Sequence, residues 1–334
     1  MAQRDCMHYV VKDGKLLCKL CPHRCVIEDG QVGKCRVRRR EGDRLVPLTY
    51  AEVTSVHLDP IEKKPLYHFY PGSLVLSLGT WGCNMRCDFC QNWSISQLQV
   101  PTQRLEPEQA VELALSREGN IGLAYTYNEP FIWYEYMYDT AQLAHERGLK
   151  NVVVTNGFIN PEPLEELLPC LDALNIDVKA MSDDFYRRLC GGRVRWVLRA
   201  AELAAQHAHV EITNLVIPGE NDSEESLREL VDWVAEALGP DTPLHFSRYH
   251  PDYKLTAPAT PPETLSGAYG MARERLNYVY VGNIAMPETQ DTVCPSCGAT
   301  LISRHGFGAR MVDLAGGQCG KCHTAVNVIS ENGG

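Results

Sequence analysis

Three cysteines in one short loop constrain this chain more than any other feature of its sequence. Cys83, Cys87 and Cys90 form a C-x3-C-x2-C array just after the apolar run 74–78. A [4Fe–4S] cluster normally takes four Cys thiolates, so three neighbouring thiolates would hold three irons and leave the fourth iron open. The alternative is a structural zinc site with a fourth ligand elsewhere, but zinc sites favour paired C-x2-C spacings over an unequal triplet. The array therefore favours an iron–sulfur cluster with one open position.

Length and charge limit the classes of protein to which the chain can belong. Its 334 residues suit two domains or one large barrel with appendages, and the 44% hydrophobic content provides for a sizeable core. The formal net charge of −10 argues against a general nucleic-acid binder, since such proteins are usually basic. The basic run 36–40 is the exception, and we interpret it as a solvated strand edge or hairpin.

The sequence indicates a cytoplasmic protein without a membrane segment. Its first residues include no apolar stretch of the signal-peptide kind, and no long transmembrane run follows. In a reducing compartment, 14 cysteines indicate metal sites rather than disulfides. Eleven of the 14 fall into three tight groups, and Cys6, Cys170 and Cys190 lie outside them.

The first group of cysteines lies among turn residues near the start of the chain. It comprises Cys18, Cys21, Cys25 and Cys35. Residues 18–35, which carry these four sulfurs, contain too little apolar sequence for a core of their own, so we expect a bound metal to organise their folding. The spacing does not separate tetrahedral zinc from an auxiliary iron–sulfur cluster. Residues 1–45 are thus predicted to be a Cys-rich module that holds one or the other.

The last group consists of two C-x2-C knuckles in residues 287–334. Cys294 and Cys297 form the first knuckle, and Cys319 and Cys322 form the second. This arrangement is typical of a zinc ribbon, although the knuckles also resemble those that bind a single iron in rubredoxin. The sequence therefore predicts a zinc-ribbon-like or rubredoxin-like module with zinc or iron on four thiolates.

Between the two modules, predicted strands alternate with predicted helices. The strands are 74–78, 121–127, 151–155, 173–179, 210–217, 243–249 and 277–281, and the helices are 106–118, 131–147, 222–238 and a fourth that opens at 260–263. Asp222 and Glu225 are predicted to cap the third helix. Repeated strand–helix units imply a parallel sheet, and about six of them suit an open (β/α)6 barrel, or a fuller one if the last strand joins. The predicted fold class is α/β: a partial (β/α)6 TIM-like barrel at residues 46–286, lead-in segment included.

Polar residues at strand ends predict an active site at the mouth of this barrel. Alternation directs Asn175, Asp177 and Lys179 to one face of a strand that should be almost wholly apolar. An internal Asp177–Lys179 salt bridge is the alternative to a functional role. Similar polar segments end other predicted strands, at 125–130, 154–157 and 245–250, and another lies within the strand 210–217, at 211–214. Active sites of such barrels lie at the C-terminal strand ends, so we expect all these residues to converge beside the three-cysteine loop.

These motifs resemble those of the radical S-adenosylmethionine (SAM) enzymes related to pyruvate formate-lyase activating enzyme. The shared features are the three-cysteine loop with Phe89, Asn-Glu-Pro130, Thr-Asn-Gly157, Asp-Val-Lys179, the segment 211–222 and Tyr-Val-Gly-Asn283. With its Cys-rich start and knuckled end, the whole chain resembles the radical SAM proteins of the AmmeMemoRadiSam system, named for neighbouring Memo-type and AMMECR-type genes. The resemblance implies that the open iron chelates SAM, and that one electron cleaves SAM to methionine and a 5′-deoxyadenosyl radical.

The resemblance also implies roles for individual residues. Asn128 and Glu129 occupy the position that receives the amino group of SAM, and Asp177 and Lys179 match a motif near its methionine part. Tyr127 and Asn128 stand where the family has two glycines, which permit a closer backbone approach. Further contacts to SAM are implied for Asn156, Asn214 and His250.

Three functions follow as alternatives. The first is a radical SAM oxidoreductase that abstracts a hydrogen atom from a partner protein, as a glycyl-radical activase does. The second is a radical SAM enzyme that acts on a small molecule together with Memo-type and AMMECR-type partners. The third is not an enzyme: an iron–sulfur electron carrier or a zinc-ribbon binding protein. The charge and the polar barrel mouth favour the first two, which also need an external one-electron donor of the flavodoxin or ferredoxin type. Neither a membrane nor a nucleic acid is expected as a partner.

Overall fold

A computed structural model describes residues 4–330 and begins with short antiparallel strands. These strands are β1 (Tyr9–Lys12), β2 (Lys15–Cys18), β3 (Val26–Ile27), β4 (Arg38–Glu41) and β5 (Arg44–Pro47). β1, β2 and β3 form one sheet, and β4 and β5 form a hairpin. The hairpin predicted at the basic run is therefore confirmed. Its solvation is not uniform, because Arg38 is 1% exposed and donates to the buried carboxylate of Glu135 at 2.8 Å.

The next ten strands build the centre of the molecule. They are β6 (Glu52–Val53), β7 (Ser55–Pro60), β8 (Leu74–Gly79), β9 (Gln103–Arg104), β10 (Asn120–Tyr125), β11 (Lys150–Thr155), β12 (Ala173–Asp177), β13 (His209–Val216), β14 (Leu244–Arg248) and β15 (Val279–Gly282). β6 pairs with β9, and the others form one sheet in the order β15-β14-β13-β12-β11-β10-β8-β7. All neighbours from β8 to β15 are parallel, which confirms the seven predicted strands. β7 adds an antiparallel edge to β8, so the sheet is an open barrel with β7 and β15 at its edges.

Helices connect these strands. They are α1 (Trp93–Ser96), α2 (Pro107–Leu115), α3 (Tyr134–Glu146), α4 (Pro161–Leu167), α5 (Asp183–Phe185), α6 (Val194–Ala204), α7 (Glu224–Trp233) and α8 (Pro262–Ala272). Short 3₁₀ turns lie at Ile61–Lys63, Pro130–Trp133, Leu168–Cys170 and Pro287–Thr289, and π turns at Tyr186–Cys190 and Val234–Leu238. Across residues 4–330, every helix is too short or too polar to cross a membrane.

The four predicted helices correspond to α2, α3, α7 and α8, but the predicted cap of α7 is wrong. Ser223 Oγ accepts from Ser226 N at 3.2 Å and caps the helix. Asp222 Oδ1 instead accepts from Gly219 N at 2.8 Å. Asp222 therefore closes the preceding turn, which brings the adjacent serine to the first orphan N–H groups of the helix.

Buried polar side chains fill the floor of the barrel, at the N-terminal ends of the strands. Glu211 is fully buried and accepts from His245 Nε2 at 2.6 Å, His209 Nε2 at 3.0 Å and His68 N at 2.7 Å. Burial would raise the pKa of Glu211, but the two imidazoles hold it well below its ordinary value. Segments 211–214 and 245–250 were expected to converge at the mouth. This is wrong for Glu211 and His245, because each lies near the start of its strand.

A C-terminal module covers this floor. Its strands are β16 (Thr292–Val293), β17 (Thr300–His305), β18 (Gly308–Met311), β19 (Leu314–Ala315) and β20 (Gln318–Cys319). The fully buried side chain of Arg304 reaches from β17 into the floor, where Nη2 donates to Tyr67 O at 2.6 Å and Nη1 to Thr292 Oγ1 at 2.8 Å. His68 Nδ1 lies 2.6 Å from Asn327 O. The module and the barrel thus share one continuous buried polar network.

Candidate functional site at the barrel mouth

A cavity of about 580 Å³ lies at the mouth of the barrel, at the C-terminal ends of the parallel strands. Its walls come from the loops after β8 and β10 and from the ends of β11 to β15. Eight of the ten residues predicted at the SAM site line it: Cys83, Cys87, Cys90, Asn128, Glu129, Asn156, Asp177 and Lys179. The structure therefore gathers these eight residues from four segments of the chain, the three-cysteine loop and three strand ends.

The loop that carries the three cysteines is held on two sides. Towards the barrel, Arg86 N donates to Cys190 O at 2.8 Å and Asp88 N donates to Leu189 O at 2.9 Å. Towards the N-terminal module, Gly82 has a φ of +95°, and a Cβ added there would lie 2.9 Å from Cys35 O. Only glycine combines that conformation with such a close approach. The loop is therefore wedged between the barrel and the N-terminal module.

Polar groups lie beside the cysteine sulfurs. Met85 N donates to Cys83 Sγ at 3.3 Å, and Asn156 Nδ2 lies 3.6 Å from the same sulfur. Ser96 Oγ lies 3.2 Å from Cys90 Sγ. Thiolate ligands of iron–sulfur clusters accept such hydrogen bonds, which also tune the cluster. Three thiols around one cavity, with donors beside them and space in front, fit a [4Fe–4S] cluster with one open iron.

Asn128 braces this loop with both ends of its side-chain amide. Its Oδ1 accepts from Thr80 N at 3.1 Å, and its Nδ2 donates to Gly82 O at 2.9 Å. Both polar atoms are therefore already bonded to the backbone that leads into Cys83. The side chain of Asn128 positions the loop, although it was predicted to contact SAM.

Glu129 presents a buried carboxylate to the cavity. It accepts from Thr155 Oγ1 at 2.7 Å, Asn156 N at 2.8 Å and Phe131 N at 3.0 Å, and it is 2% exposed. Burial raises the pKa of Glu129 to about 7, although these hydrogen bonds lower it. A carboxyl group in such a place ionises most readily when a cation binds beside it.

Asp177 and Lys179 form the ion pair that the sequence offered as the alternative to a functional role, and both also line the cavity. Lys179 Nζ lies 3.0 Å from Asp177 Oδ2. Burial would lower the pKa of Lys179, but Asp177 and then Cys87 and Cys190 raise it well above its ordinary value. The ammonium therefore stays charged inside the barrel mouth. The salt bridge and the functional role are compatible here, because two of the ammonium's three donors remain free of Asp177.

Asn214 and His250 do not line the cavity. Asn214 Nδ2 donates to Val178 O at 2.8 Å and to Lys179 O at 3.2 Å, so the residue supports the backbone that carries Lys179. His250 is exposed, and its Nδ1 lies 3.4 Å from the Nε2 of Gln91, a cavity residue. Asn214 faces away because it neighbours Thr213, which takes the cavity side of β13.

A charged cluster that the sequence did not predict lies at the β7 side of the mouth. Asp59 accepts from Lys64 Nζ at 2.7 Å, from Lys63 Nζ at 2.9 Å and from Tyr127 Oη. Both lysines and the tyrosine line the cavity. Lys63, Tyr127 and Asn92 also line an adjoining cavity of about 460 Å³. A pair of lysines soon after an acidic strand end was the one available signal, and it is too common to identify a site.

Tyr127 holds a strained conformation in this cluster. Its φ is +74°, a region that non-glycine residues rarely adopt. The Tyr127 ring lies against Gly79, where an added Cβ would come within 2.9 Å of it. Lys64 Nζ lies 4.6 Å from the ring centroid. Tyr127 therefore has the positive φ that suits the glycine found here in the family, but its side chain also lies between the two cavities and lines both.

The four C-terminal cysteines form a compact ligand set. The Sγ atoms of Cys294, Cys297, Cys319 and Cys322 all lie within 4.8 Å of one another. The pairs Cys294–Cys322 and Cys297–Cys319 are 3.5 Å and 3.7 Å apart. Four sulfurs at this spacing suit a tetrahedral ion with metal–sulfur bonds of about 2.3 Å.

The N-terminal cysteines are enclosed in their module, but among the described residues they do not form a compact ligand set like the C-terminal one. Cys18, Cys21 and Cys35 are buried and Cys25 is partly buried. Burial raises the pKa of the Cys18 and Cys21 thiols and raises that of Cys35 to about 11. A bound metal would convert these thiols to thiolates, so folding of the module and metal binding are expected to depend on each other.

Comparison with known proteins agrees with this architecture. The family described as the radical SAM superfamily matches residues 79–232. An uncharacterized protein of Methanocaldococcus jannaschii is 44% identical over 335 residues, which cover 98% of this chain and 99% of that protein. Pyruvate formate-lyase 1-activating enzyme of Escherichia coli K12 is 26% identical over 176 residues, 51% of this chain and 71% of the enzyme.

Among solved structures, Streptococcus suis SuiB bound to S-adenosylmethionine is similar in fold. The match has a TM-score of 0.51 and 14% identity, and it covers 68% of this chain and 54% of SuiB. The family match begins at Gly79, at the end of β8, and includes the three-cysteine loop, Glu129, Asp177 and Lys179. Residues 79–232 therefore form a radical SAM domain, and the chain is homologous to the pyruvate formate-lyase activating enzymes.

Proposed function

We propose that this protein is a radical SAM oxidoreductase that generates a 5′-deoxyadenosyl radical and abstracts a hydrogen atom from a partner protein. Radical SAM proteins use SAM and a [4Fe–4S] cluster, which together supply that radical when the cluster is reduced by one electron. One observation carries the proposal: a single cavity is lined by three cysteines, a buried carboxyl group and a partly buried ammonium. These groups match the donors that a cluster with an open iron and the charged methionine part of SAM require.

The cavity residues divide the work of holding these groups. Cys83, Cys87 and Cys90 provide the three thiolates. Lys179 is suited to the SAM carboxylate, because an ammonium and a carboxylate form a charge-assisted hydrogen bond. Glu129 is suited to the SAM amino group, because the approaching ammonium favours the ionised form of a carboxyl whose pKa is about 7. Asp177 keeps Lys179 charged and orients it from 3.0 Å away.

A protein substrate is supported by the shape of the mouth and by the homology. Gln91, Asn92 and Asn283 line the cavity and are exposed, so a segment of another chain can reach the reacting centre. The E. coli homologue is, by its name, an enzyme that activates another enzyme. Burying the bound ligands beneath such a segment would also exclude water from the radical.

A small-molecule substrate is the second candidate, and the adjoining cavity of about 460 Å³ favours it. That cavity meets the first at Lys63, Asn92 and Tyr127. A metabolite seated there would lie beside SAM and opposite the ammonium of Lys63. Memo-type and AMMECR-type proteins would then supply this substrate or take up its product.

The first test is a metal count on protein purified without oxygen, compared with a variant in which Cys83, Cys87 and Cys90 are all alanine. We expect about four irons and four sulfides to be lost in the variant, together with all 5′-deoxyadenosine formation from SAM and dithionite. A matched control changes Cys170, a partly buried cysteine outside the three groups, to alanine and should keep both. Failure to assemble any cluster in the wild-type protein would overturn the proposal.

The same count identifies the metals of the two modules. About four remaining irons in the triple variant would make the N-terminal group an auxiliary cluster, whereas two zincs per chain would make both modules zinc sites. Substrate class needs a second experiment, with a candidate partner deuterated on its carbon-bound hydrogens. Deuterium in the 5′-deoxyadenosine supports a protein substrate, and its appearance only from deuterated small molecules supports the second candidate.

A further inference from the structure

A second concave surface lies where the N-terminal module meets the barrel. Its volume is about 580 Å³, and its lining includes the cations Lys34, Arg187, Arg193 and Arg195. All four side chains are exposed. We call this surface the basic cleft. Every charged residue that lines it, among the residues the structure describes, is a cation, in a protein whose formal net charge is −10.

The positive charge of the basic cleft is only partly neutralised. Arg193 Nη1 lies 3.0 Å from Asp183, and Arg187 Nη2 lies 3.5 Å from Asp184. Lys34 Nζ lies 3.5 Å from a ring nitrogen of His23, and the Arg195 guanidinium lies 5.1 Å from the Trp196 ring centroid. Two rim carboxylates thus face four cations. A concentrated positive patch on an acidic protein attracts a partner with an acidic surface and orients it as it approaches.

The floor of the basic cleft is the rear of the three-cysteine loop. His23 Nε2 lies 2.7 Å from the carbonyl oxygen of Asn84, the residue directly after Cys83. Gly192 packs on Met85 of the same loop so closely that an added Cβ would lie 2.8 Å from Met85 Cε. A continuous path of bonded and hydrogen-bonded atoms therefore runs from the cleft through His23 and Asn84 to Cys83.

The basic cleft is separate from the mouth cavity. The two surfaces have no lining residue in common among the described residues. Hydrogen abstraction requires contact between the substrate and the radical, so a substrate bound in the cleft would be on the wrong side of the loop. An electron needs no such contact, because it can pass through the atoms of the loop itself.

We propose that the basic cleft docks an acidic one-electron carrier protein, which reduces the cluster held by Cys83, Cys87 and Cys90 through His23 and Asn84. This inference rests on the proposed function. The carrier is oxidised by one electron and the cluster is reduced by one, and no proton or group is transferred. Positive charge in the cleft raises the rate of encounter with the carrier, and the loop contact brings the electron to the sulfur ligands.

The test uses the reconstituted protein and reduced flavodoxin as an acidic probe. In the cleft variant, Lys34, Arg187 and Arg195 are changed to Glu. In the matched control variant, three exposed cations elsewhere, Lys12, Arg117 and Arg310, are changed to Glu, so the net charge is the same. Two readouts are taken at low and high salt: the dissociation constant for flavodoxin, from calorimetric titration, and the rate of cluster bleaching by reduced flavodoxin. Bleaching by reduced methyl viologen serves as a cationic small-molecule reference.

At low salt we expect the cleft variant to have a dissociation constant for flavodoxin at least about ten-fold higher than wild type, and a rate of cluster bleaching at least about ten-fold lower. Both differences should shrink at high salt. The control variant should stay close to wild type, and methyl viologen should bleach all three proteins alike. Equal slowing in the cleft and control variants, or none in either, would overturn the docking site. Methyl viologen bleaching followed by SAM cleavage tests the proposed function separately, since that reaction needs no docked protein.

Discussion

Lys179 Nζ lies 3.0 Å from Asp177 Oδ2 at the wall of the mouth cavity, two residues along the same strand end. The pair places a charged ammonium at a depth where an unpaired one would lose its proton. Asp177 is the more exposed partner, with 36% of its side chain accessible against 13% for Lys179. An arriving carboxylate therefore meets an ammonium that is already charged and held in place.

Changing Lys179 to Met should weaken SAM binding about ten- to hundred-fold, because a buried charge-assisted hydrogen bond contributes about 1.5–3 kcal/mol. Equilibrium dialysis with labelled SAM on the reconstituted protein measures this. Lys321→Met, on the exposed second knuckle, serves as the control and should leave affinity unchanged. Equal affinities for wild type and Lys179→Met, at equal iron content, would remove Lys179 from the SAM site.

SAM affinity should rise with pH through neutrality because of Glu129. Its pKa is raised to about 7 by burial, so near neutral pH part of the protein carries a neutral carboxyl that cannot pair with an ammonium. Binding should therefore release a proton, and affinity should increase from roughly pH 6 to 8. The Glu129→Gln variant keeps the shape and loses this component, while it retains any titration of SAM itself.

The raised pKa of Glu129 also fixes the direction in which the free energy of unfolding changes with pH. The folded pKa of Glu129 lies above its ordinary 4.5, so the folded state holds the proton more tightly than the unfolded chain. The contribution of Glu129 to the free energy of unfolding thus falls as pH rises from about 4.5 to 7. Scanning calorimetry in buffers of different ionisation enthalpy counts the protons released on unfolding. Identical counts for wild type and Glu129→Gln between pH 4.5 and 7 would contradict the raised pKa of Glu129.

Gly82→Ala should destabilise the three-cysteine loop by more than the cost of placing alanine in this backbone conformation. The new Cβ would lie 2.6 Å from Val37 Cγ1 and 2.9 Å from Cys35 O, so the loop or the N-terminal module must move. We expect a loss of about 1–3 kcal/mol from this crowding, on top of about 1 kcal/mol for the left-handed conformation. Cluster occupancy after reconstitution should fall as well.

Gly219→Ala is the control for that substitution. Gly219 has a φ of +76°, but nothing lies within 4 Å of the position its Cβ would take. The Gly219→Ala variant should therefore lose about 1 kcal/mol of stability, because only the left-handed backbone conformation is unfavourable for alanine, and it should keep its full iron content. Similar unfolding midpoints and similar iron content in the two alanine variants would show that the contact with Cys35 does not position the loop.

Arg304→Met should destabilise the barrel by about 3–5 kcal/mol. The substitution leaves Tyr67 O and Thr292 Oγ1 without a donor that they now share, and it removes a cation that lies 4.2 Å from the Tyr67 ring centroid. Urea unfolding followed by barrel tryptophan fluorescence measures the loss. Arg310→Met, an exposed change on the next strand of the same module, should stay within about 0.5 kcal/mol of wild type.

The sequence predicted the parallel strands well because strands buried on both faces are apolar runs that end in polar residues. It did not predict β7 as a strand, since an edge strand such as Ser55–Pro60 carries no such run and is defined by its pairing with β8. The cluster around Asp59 was missed for the same reason. Its lysines and Tyr127 come from separate segments, and only the fold brings them together.

Strand periodicity predicted which residues share a face of β13, but not their depth. Glu211 and Thr213 lie on the same face, yet Glu211 is in the floor and Thr213 lines the mouth cavity. Asn214, one position further, turns to the other face and bonds the backbone of Val178. Depth in a barrel depends on the register between strands, which local sequence does not encode.

The bond from Arg304 to Tyr67 joins residues 237 positions apart in the chain. A ribosome makes the three-cysteine loop well before the arginine that closes the barrel floor. Until then, the polar side chains of the floor have no cover, and the nascent barrel has to wait with an open base. We therefore expect the barrel floor to be completed in the cell only after the C-terminal module has been made, and so later than the loop that carries the three cysteines.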